Sequence, residues 1–438
     1  MKPTPHWRPD AHFTAANTWL NDPNGLVFHD GTYHLYFQNN PCGKHWGEIA
    51  WGHATSPDLV TWTEHPVAIP ATDDEMVFSG SAVVDVRDTA GFGSGAIVAV
   101  YTSHYRPGSA REGFQAQSLA VSLDGGYTFE RYAHNPVLDE KLENFRDPKV
   151  FWFGDESGHW VMTVAEPHDF RVGIYTSPNL RTWTRASTFG PAGNVGGIWE
   201  CPDLVRIPVR GEHAFAWALI VSLSPGGPTG GSGTQYFVGD FDGFRFTPAR
   251  PEPAWLDHGH DYYAAVSFND APRGAAITIG WASSWGYADR VPTHPWRSAM
   301  SLARTLELVR GDDGALLLHQ APVTPAGVLI EHVVSLSTSG RIRLHSAGDA
   351  GASEVVVVVD RESRTVTVDR SRCGVDALAD DFASVAVAPL HPHDETQVHI
   401  VVDASILEIY VDGVTTFTEQ IFPDAPLTEH TVEEMDGR

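Results

Sequence analysis

Short segments in which apolar residues dominate or alternate with polar ones recur along this chain of 438 residues. They are separated by clusters of Gly, Pro, Asn and Asp, the residues that favour turns. Long runs of helix-forming residues are few, so the pattern predicts an all-β protein with many short strands. The clearest predicted strands before residue 320 are TYHLYFQ (32–38), AIVAVYTS (96–103), WVMTVAE (160–166), FAWALIVSL (215–223) and AAITIGWA (275–282).

A turn sequence repeats among these strands. ATSPDLVTW (54–62) returns as YTSPNLRTW (175–183), and more loosely as VSLDGGYTF (121–129) and GDFDGFRF (239–246). The closing aromatic residues Trp62, Phe129, Trp183 and Phe246 are 67, 54 and 63 residues apart. A unit of about sixty residues made only of strands is typical of one blade of a β-propeller. A fifth unit is predicted from about Asp257, with DHGHDYYAA (257–265) and GWASSW (280–285).

The character of the sequence changes after about residue 320. Aromatic residues become fewer, and alternating segments typical of a β-sandwich take their place. The predicted strands there lie in VLIEHVVSLS (328–337), RIRLHSA (341–347), EVVVVVDRESRTVTVDR (354–370), TQVHIVVDASILEIYVDG (396–413) and TTFTEQIFP (415–423). We therefore expect a propeller over residues 1–320 and a sandwich over residues 326–438, with the boundary near Pro322–Pro325.

Composition excludes several classes of function. The formal charge of −26 disfavours nucleic acids and anionic membrane surfaces as partners. No run of apolar residues is long enough to span a membrane. The first twenty residues have no apolar signal-peptide region, which predicts a cytoplasmic location, or a secreted one if a leader has been removed. The three cysteines, Cys42, Cys201 and Cys373, form no CxxC pair, so neither a disulfide framework nor a zinc site is predicted.

Three carboxylates stand in short and unusual contexts. They are Asp22 in WLNDPNGL (19–26), Asp147 in NFRDPKVFW (144–152) and Glu200 in GGIWECPDL (196–204). An acid before proline usually marks a turn, because proline disfavours helical geometry in the preceding residue. Here each acid is also flanked by aromatic residues, and acids in apolar surroundings can acquire the separated pKa values that acid–base chemistry needs.

These motifs lie at similar positions relative to the repeated turn. Asp22 lies 40 residues before Trp62, Asp147 lies 36 before Trp183 and Glu200 lies 46 before Phe246. Phe78 precedes Phe129 in the same way. Each motif is thus predicted on the first strand of its blade, and first strands line the central channel. Hydrolysis of a glycosidic bond needs two carboxyl groups, and a third can hold the sugar hydroxyls. Turn-forming acids in a β-rich scaffold are the alternative interpretation.

The ordered set of motifs resembles glycoside hydrolase family 32, which includes invertases, inulinases and levanases. The resemblance runs from about His12 to the end of the chain. It rests on WLNDPNGL, Gln38, WGHA (51–54), FSGSAVV (78–84), FRDPKVFW, WECPDL, DHGHDYYA, WRSAMSLAR (296–304) and IFPDA (421–425). It implies a five-bladed propeller followed by a β-sandwich, which agrees with the repeat.

The same resemblance implies catalytic roles. Asp22 is expected to be the nucleophile, Glu200 the general acid/base and Asp147 the stabiliser of the transition state. The other residues expected around a terminal fructosyl unit are Asn21, Gln38, Trp46, Phe78, Ser79, Arg146, Cys201, Tyr262, Tyr263 and Trp281. No metal or cofactor is expected, since the His and Asp residues of DHGHD (257–261) lack a ligand spacing and are expected to form hydrogen bonds.

These features predict a retaining β-fructofuranosidase or exo-fructanase that removes terminal non-reducing fructose from sucrose-type oligosaccharides, levan or inulin. A fructosyltransferase of the same fold, with a sugar in place of water as acceptor, is the nearest alternative. Inverting propeller hydrolases of arabinan or xylan are disfavoured by NDPNG, ECPD and the sandwich. A catalytically silent fructan-binding protein is disfavoured because all three acids are present. Linkage preference and oligomeric state stay open.

Overall fold

The computed structural model describes residues 7–311, 313–327, 329–347, 353–373, 378, 382–391 and 393–435. Regular structure in these ranges consists of β-strands and short 3-10 helices, among them Pro167–Asp169, Pro272–Gly274 and Ala288–Arg290. No helix within the ranges is long and apolar enough to cross a membrane. The all-β prediction is confirmed.

Five antiparallel sheets follow one another from Trp19 to Pro322, each with its strands paired in chain order. Blade I contains β1 (Trp19–His29), β2 (Thr32–Asn40), β3 (Ala50–Ser56) and β4 (Thr63–Ile69). Blade II contains β5 (Glu75–Asp85), β6 (Ala96–Tyr105), β7 (Gln115–Ser122), β8 (Glu130–Arg131) and β9 (Leu138–Leu142), which also pairs with β7. Blade III contains β10 (Arg146–Phe153), β11 (His159–Glu166), β12 (Arg171–Ser177) and β13 (Thr184–Phe189).

The last two blades complete the predicted propeller. Blade IV contains β14 (Ile198–Pro208), β15 (Phe215–Ser224), β16 (Gly233–Phe241), β17 (Phe246–Pro248) and β18 (Ala254–Trp255), which pairs with β16. Blade V contains β19 (Tyr263–Ser267), β20 (Ala276–Trp281), β21 (Arg304–Arg310) and β22 (Leu316–Pro322). The five apolar segments predicted as strands are the second strands of the five blades. They are mostly buried, because each lies between two strands of its own sheet and beneath the neighbouring blades.

The repeated turn sequence has a local structural cause. In blade I the Asp58 carboxylate accepts hydrogen bonds from the backbone N–H groups of Val60 and Thr61, at 3.0 and 2.7 Å. The equivalent acceptors in blades II, III and IV are Asp124, Asn179 and Asp242. Bonds of this kind fix a turn from within the segment. The same turn therefore leads into the fourth strand of each of these blades.

Blade V closes the ring against blade I through the backbone. Phe28 N–H donates to the Asn269 carbonyl at 3.0 Å, and Arg297 N–H donates to the Thr18 carbonyl at 3.1 Å. These bonds hold both ends of β1 against blade V. The inner strand that carries Asp22 is therefore fixed to the blade that carries Tyr263.

Two further sheets form the predicted sandwich. One contains β23 (Ile330–Leu336), β28 (Thr396–Asp403), β29 (Ile406–Val411) and β30 (Thr415–Gln420), in that order. The other contains β27 (Val385–Pro389), β26 (Thr365–Arg372), β25 (Glu354–Asp360), β24 (Gly340–His345) and β31 (Glu429–Glu434), in that order. The alternating Val, Ile and Leu residues of both sheets form one buried cluster. Strands β27 and β31 were not predicted from the pattern.

The start of the fifth unit differs from the prediction. The first strand of blade V begins at Tyr263, and the residues from Asp257 to Asp261 pair with the sandwich instead. His258 N–H donates to the Thr416 carbonyl of β30 at 2.8 Å. These residues therefore form part of the contact between propeller and sandwich.

Candidate active site

All five inner strands are irregular at the same level of the channel. Their pairing shifts register between Leu20 and Pro23, Phe78 and Gly80, Arg146 and Lys149, Glu200 and Asp203, and Tyr263 and Val266. Asp147, Cys201 and Ala264 have positive φ angles of 66°, 48° and 53°. A bulge re-aims the side chains beside it, and such bulges are common next to active sites. The irregularities turn polar side chains of several blades toward one cleft.

This cleft has a volume of about 480 Å³ and lies at one end of the channel. Carboxylates and their hydrogen-bond donors form its floor. Aromatic residues stand at its edge, where Trp46 is 46% exposed and Trp285 is 37% exposed. The residues that line it are Asn21, Asp22, Gln38, Trp46, Phe78, Ser79, His104, Gln115, Asn144, Arg146, Asp147, Ile198, Glu200, Ser224 and Trp285.

Asp22 is held by donors from three blades. Ser79 Oγ donates to Asp22 Oδ2 at 2.6 Å, and Asn21 Nδ2 donates to Asp22 Oδ1 at 2.9 Å. The Asn21 side chain is itself fixed by Trp19 Nε1, which donates to Asn21 Oδ1 at 2.8 Å. The Cys201 thiol lies 3.6 Å from Asp22 Oδ2. These contacts leave the carboxylate one orientation.

Asp147 lies deeper, at 6% exposure. Its Oδ2 accepts the Cys201 backbone N–H at 2.9 Å, and its own N–H donates to Thr102 Oγ1 at 2.9 Å. The Cys201 thiol is 3.7 Å from Asp147 Oδ2, so it lies between two carboxylates. Burial and the nearby carboxylates hold the pKa of this thiol well above its usual range. Cys201 is therefore a neutral donor and not a thiolate nucleophile.

Glu200 is held from both sides by charged or polar groups. Arg146 Nε donates to Glu200 Oε1 at 3.0 Å, and Arg146 Nη2 lies 2.9 Å from the same oxygen. Tyr263 Oη donates to Glu200 Oε2 at 2.5 Å. Arg146 is oriented in turn by Gln115 Oε1 and Asn144 Oδ1, at 3.2 and 3.0 Å. These two acceptors were not singled out from the sequence.

The carboxylates influence one another's ionisation. Burial and the charge of Glu200 raise the pKa of Asp22, while the hydrogen bonds from Ser79, Asn21 and Cys201 oppose this rise. Burial also raises the pKa of Asp147, against the Arg146 charge and together with Glu200 and Asp22. Asp22 and Asp147 therefore hold protons more tightly than isolated aspartates do.

The structure brings most of the predicted residues to this site. Asn21, Gln38, Trp46, Phe78, Ser79 and Arg146 line the cleft. Cys201 and Tyr263 lie behind it and contact the carboxylates directly. Phe78 stacks on His104, with ring centroids 4.4 Å apart.

Two predicted residues lie elsewhere, and the expectation for them is corrected. Tyr262 lies beneath the Arg304 guanidinium, 4.1 Å from the ring centroid, and belongs to the core shared by blades IV and V. Its neighbour Tyr263 is the residue that reaches Glu200. Trp281 is fully buried behind the cleft wall, where its ring packs 4.9 Å from that of Trp285.

Six lining residues were not predicted as site residues: His104, Gln115, Asn144, Ile198, Ser224 and Trp285. Two signals were present in the sequence. Trp285 closes the GWASSW segment, and Asn144 lies two residues before Arg146. His104 and Gln115 lie in ordinary strand sequence, so only the arrangement of the blades places them here.

The DHGHD residues are engaged in ion pairs and hydrogen bonds. Asp257 Oδ2 lies 3.0 Å from Arg304 Nη1, and His260 Nδ1 lies 2.8 Å from Glu419 Oε2. Among the described residues, no group of three or more His, Cys, Asp or Glu side chains is arranged to hold a metal ion.

The geometry of the cleft suits hydrolysis of a glycosidic bond. Asp22 is oriented toward the cleft without an arginine partner, whereas Glu200 has both an arginine and a phenol as partners. Two carboxyl groups in such different surroundings can take different protonation roles.

Comparison with known proteins agrees with this geometry. Residues 12–322 match the model of the Glycosyl hydrolases family 32 N-terminal domain, and residues 305–437 match that of the family's C-terminal domain. The chain is 39% identical to an extracellular exo-inulinase of Aspergillus niger, over 95% of this chain and 90% of that protein. It is 41% identical to a levanase of Bacillus subtilis, over 95% of this chain and 67% of that protein.

A solved structure has the same fold. The crystal structure of an exo-inulinase from Aspergillus awamori matches with a TM-score of 0.89 and 37% identity. The match covers all of this chain and 96% of the other. The predicted propeller and sandwich and the predicted glycoside hydrolase activity are confirmed. With five blades in order along the chain and both family domains matched, the chain belongs to glycoside hydrolase family 32.

Proposed function

We propose that this protein is a retaining β-fructofuranosidase that removes terminal non-reducing fructose from inulin, levan or sucrose-type oligosaccharides. The observation that carries the proposal is the convergence of Asp22, Asp147 and Glu200, from three different blades, in one cleft. The relatives are named for inulin and levan, which gives the substrate class.

Asp22 is proposed as the nucleophile. Three donors stabilise its carboxylate form, and among the described residues it forms no ion pair that would weaken its attack on the anomeric carbon. Attack by Asp22 breaks the bond to the leaving oxygen and gives a fructosyl-enzyme ester, which water then hydrolyses.

Glu200 is proposed as the general acid/base. The Tyr263 hydroxyl and Arg146 fix its carboxyl group beside the cleft. It would give its proton to the leaving oxygen in the first step and take one from water in the second.

Asp147 is proposed to stabilise the transition state. It is held rigidly by the Cys201 N–H and lies 4.0 Å from Arg146 Nε. A carboxylate and a guanidinium side by side can clamp adjacent sugar hydroxyls, and such contacts strengthen as the ring becomes positively charged. Asn21, Gln38, Trp46, Phe78, Ser79 and Trp285 would complete the pocket around the fructosyl unit.

We propose exo action because the channel is plugged below the cleft. Asn269 Nδ2 donates to the carbonyls of Ala82 and Val150, at 2.8 and 2.9 Å, and so bridges three blades. A pocket closed at its base admits the end of a sugar chain and excludes the middle of a polymer, which favours exo action. In this proposal residues 1–320 are the catalytic domain, and the sandwich of residues 326–438 supplies no catalytic acid.

Product analysis over time tests the proposal. Sucrose, inulin, levan and short fructans are incubated with the protein, and products are separated at low conversion. Fructose is expected as the early small product from inulin and levan, and equal amounts of fructose and glucose from sucrose. A ladder of many chain lengths would contradict exo action, and growth of the donor or acceptor chains would identify the transferase instead. No reaction with any of the four substrates would leave the fructan-binding alternative.

Cellular location stays a prediction. The Aspergillus niger relative is named as extracellular. Activity measured in separated cells and medium of the native source distinguishes the predicted cytoplasmic location from secretion.

A further inference from the structure

The DHGHD segment (257–261) forms part of the contact between the propeller and the sandwich. β30 runs beside it, and Asp261 N–H donates to the Thr418 carbonyl at 3.1 Å. A Cβ atom at Gly259 would lie 2.2 Å from the Thr418 carbonyl oxygen, so only glycine allows this approach. The position of the segment is therefore set by the sandwich.

The carboxylate of Asp261 is the centre of a hydrogen-bond network at this contact, called the hub below, which also includes Tyr287, Arg370 and the Gln420 N–H. Its Oδ2 accepts Arg370 Nη1 at 2.6 Å and the Gln420 N–H at 2.8 Å, both from the sandwich. Its Oδ1 accepts the Tyr287 hydroxyl at 2.6 Å, and Arg370 Nη2 donates to the same hydroxyl oxygen at 2.9 Å. Asp261 and Arg370 are fully buried. A buried network whose members satisfy one another holds its partners in one geometry.

Two chain segments lead from this hub to the cleft, and both are two residues long. Tyr263 follows Asp261 and donates to Glu200 at 2.5 Å. Trp285 precedes Tyr287 and lines the cleft. The hub thus lies directly behind two walls of the site, although the described part of the sandwich contributes no residue to the lining of the cleft.

Trp285 stands at the edge of the cleft, 37% exposed. Ser232 Oγ accepts its backbone N–H at 3.1 Å, and its ring packs against those of Trp281 and Trp19, with centroids 4.9 and 6.2 Å away. Beyond it the chain turns sharply, with the Tyr287 and Ala288 N–H groups both bonded to the Ser284 carbonyl, at 3.2 and 2.9 Å. Tyr287 therefore anchors the far end of the turn that presents Trp285.

We propose that Arg370 and Gln420 of the sandwich are positioning residues for the cleft, acting through Asp261 and Tyr287 on Trp285 and Tyr263. The sandwich thereby shapes the wall against which the substrate packs. This inference rests on the proposed function, since its effect is read from fructoside hydrolysis.

A double-mutant cycle between Tyr287→Phe and Trp285→Ala tests the inference. Arg370→Gln would remove the guanidinium that lies 2.6 Å from the buried carboxylate of Asp261 and 3.0 Å from that of Glu419, a change that threatens folding. Tyr287→Phe removes only the bridging hydroxyl. We expect Tyr287→Phe to raise KM for inulin about fivefold and to change kcat less than about twofold. An effect of this size is within the range of coupling energies found between residues of one network, here Tyr287 and Trp285. In the Trp285→Ala background the same change should leave KM unaltered.

Tyr236→Phe is the matched control. Its buried hydroxyl accepts the Leu318 N–H at 3.2 Å within the core between blades IV and V. It should lower the melting temperature as Tyr287→Phe does and leave KM unchanged. Equal KM effects of Tyr287→Phe with and without Trp285, or no KM effect at all, would overturn the inference. Sucrose hydrolysis by the unaltered chain tests the proposed function separately. If the unaltered chain hydrolyses sucrose, the result of the double-mutant cycle bears only on the positioning role.

Discussion

Ser79 of blade II donates a 2.6 Å hydrogen bond to Oδ2 of Asp22 in blade I, across the boundary between two inner strands. This bond lowers the pKa of Asp22 against the rise caused by burial and by Glu200. Removing it in Ser79→Ala should raise the pKa of Asp22 further. The ionised nucleophile would then be lost at higher pH, so the acidic limb of kcat/KM against pH should move upward.

The control for this change is Ser81→Ala on the same strand. Ser81 Oγ accepts the Val150 N–H at 2.9 Å, and the described contacts link it to none of the three acids. Its acidic limb should stay where it is in the unaltered protein. If the acidic limb of the kcat/KM profile does not move in Ser79→Ala, ionisation of Asp22 does not determine that limb.

The three acids should act as a unit with different roles. We expect Asp22→Ala and Glu200→Ala each to lower kcat by about three orders of magnitude or more. When catalytic residues act as a unit, replacing any one of them removes most of the rate enhancement. Asp147→Asn should also lower kcat severely with a small effect on KM. Circular dichroism and melting temperature serve as the folding controls. Near-normal turnover in Asp22→Ala or Glu200→Ala would refute the assignment.

Stereochemistry follows from the separation of the two reacting carboxyl groups. Retention predicts that those of Asp22 and Glu200 lie about 5–5.5 Å apart, whereas inversion needs roughly 6.5–9.5 Å to admit a water. A high-resolution crystal structure measures the distance, and NMR of the first product reports the anomer. An inverted first product would point to the arabinan-type mechanism.

Alkaline pH should weaken the contact between propeller and sandwich through His12. Its ring lies 2.7 Å from Asp403 Oδ2 and 3.1 Å from Glu408 Oε1 of the sandwich. Burial lowers the pKa of His12, but the two carboxylates outweigh it and raise the pKa to about 9. Because the unfolded value is lower, this stabilisation is complete below about pH 6.5 and disappears as pH rises through about 9.

The measurement is the midpoint of urea unfolding from pH 6 to pH 10. The advantage of the unaltered protein over His12→Gln, on the order of 3 kcal/mol near neutrality, should shrink as pH rises from about 6.5 and be nearly gone above about pH 9. His258→Gln is the control at the same contact, because burial lowers the pKa of His258 to about 4 and leaves it neutral throughout. A His12→Gln difference that stays constant with pH would contradict the expectation.

Removal of divalent ions should not affect turnover. The carboxylate of Asp257 is occupied by Arg304 and that of Asp261 by Arg370, at 3.0 and 2.6 Å, so the DHGHD segment offers poor ligands. We expect kcat/KM after exhaustive dialysis against a chelator to stay within about twofold, the acids and water completing the reaction. A large loss restored by one divalent ion would show that a metal takes part.

The amino-acid sequence by itself determined the strand content, the five repeats and the three acids. Short segments of the sequence encode these features. Turns such as that of Asp58 are closed by their own side chains, and each acid lies within a short motif. Alternation of apolar residues predicted the second strand of every blade for the same reason. The pattern was too short and too weak for β27 and β31.

The tertiary structure alone decided which neighbouring side chains face the substrate. Tyr263 reaches Glu200 whereas its neighbour Tyr262 lies under Arg304, and the turn that follows β20 puts Trp285 rather than Trp281 at the cleft. The hub at Asp261 was equally beyond the sequence, because Arg370 lies 109 positions away along the chain. Local patterns fix turns and strands, whereas contacts between distant segments depend on how whole blades and sheets pack together.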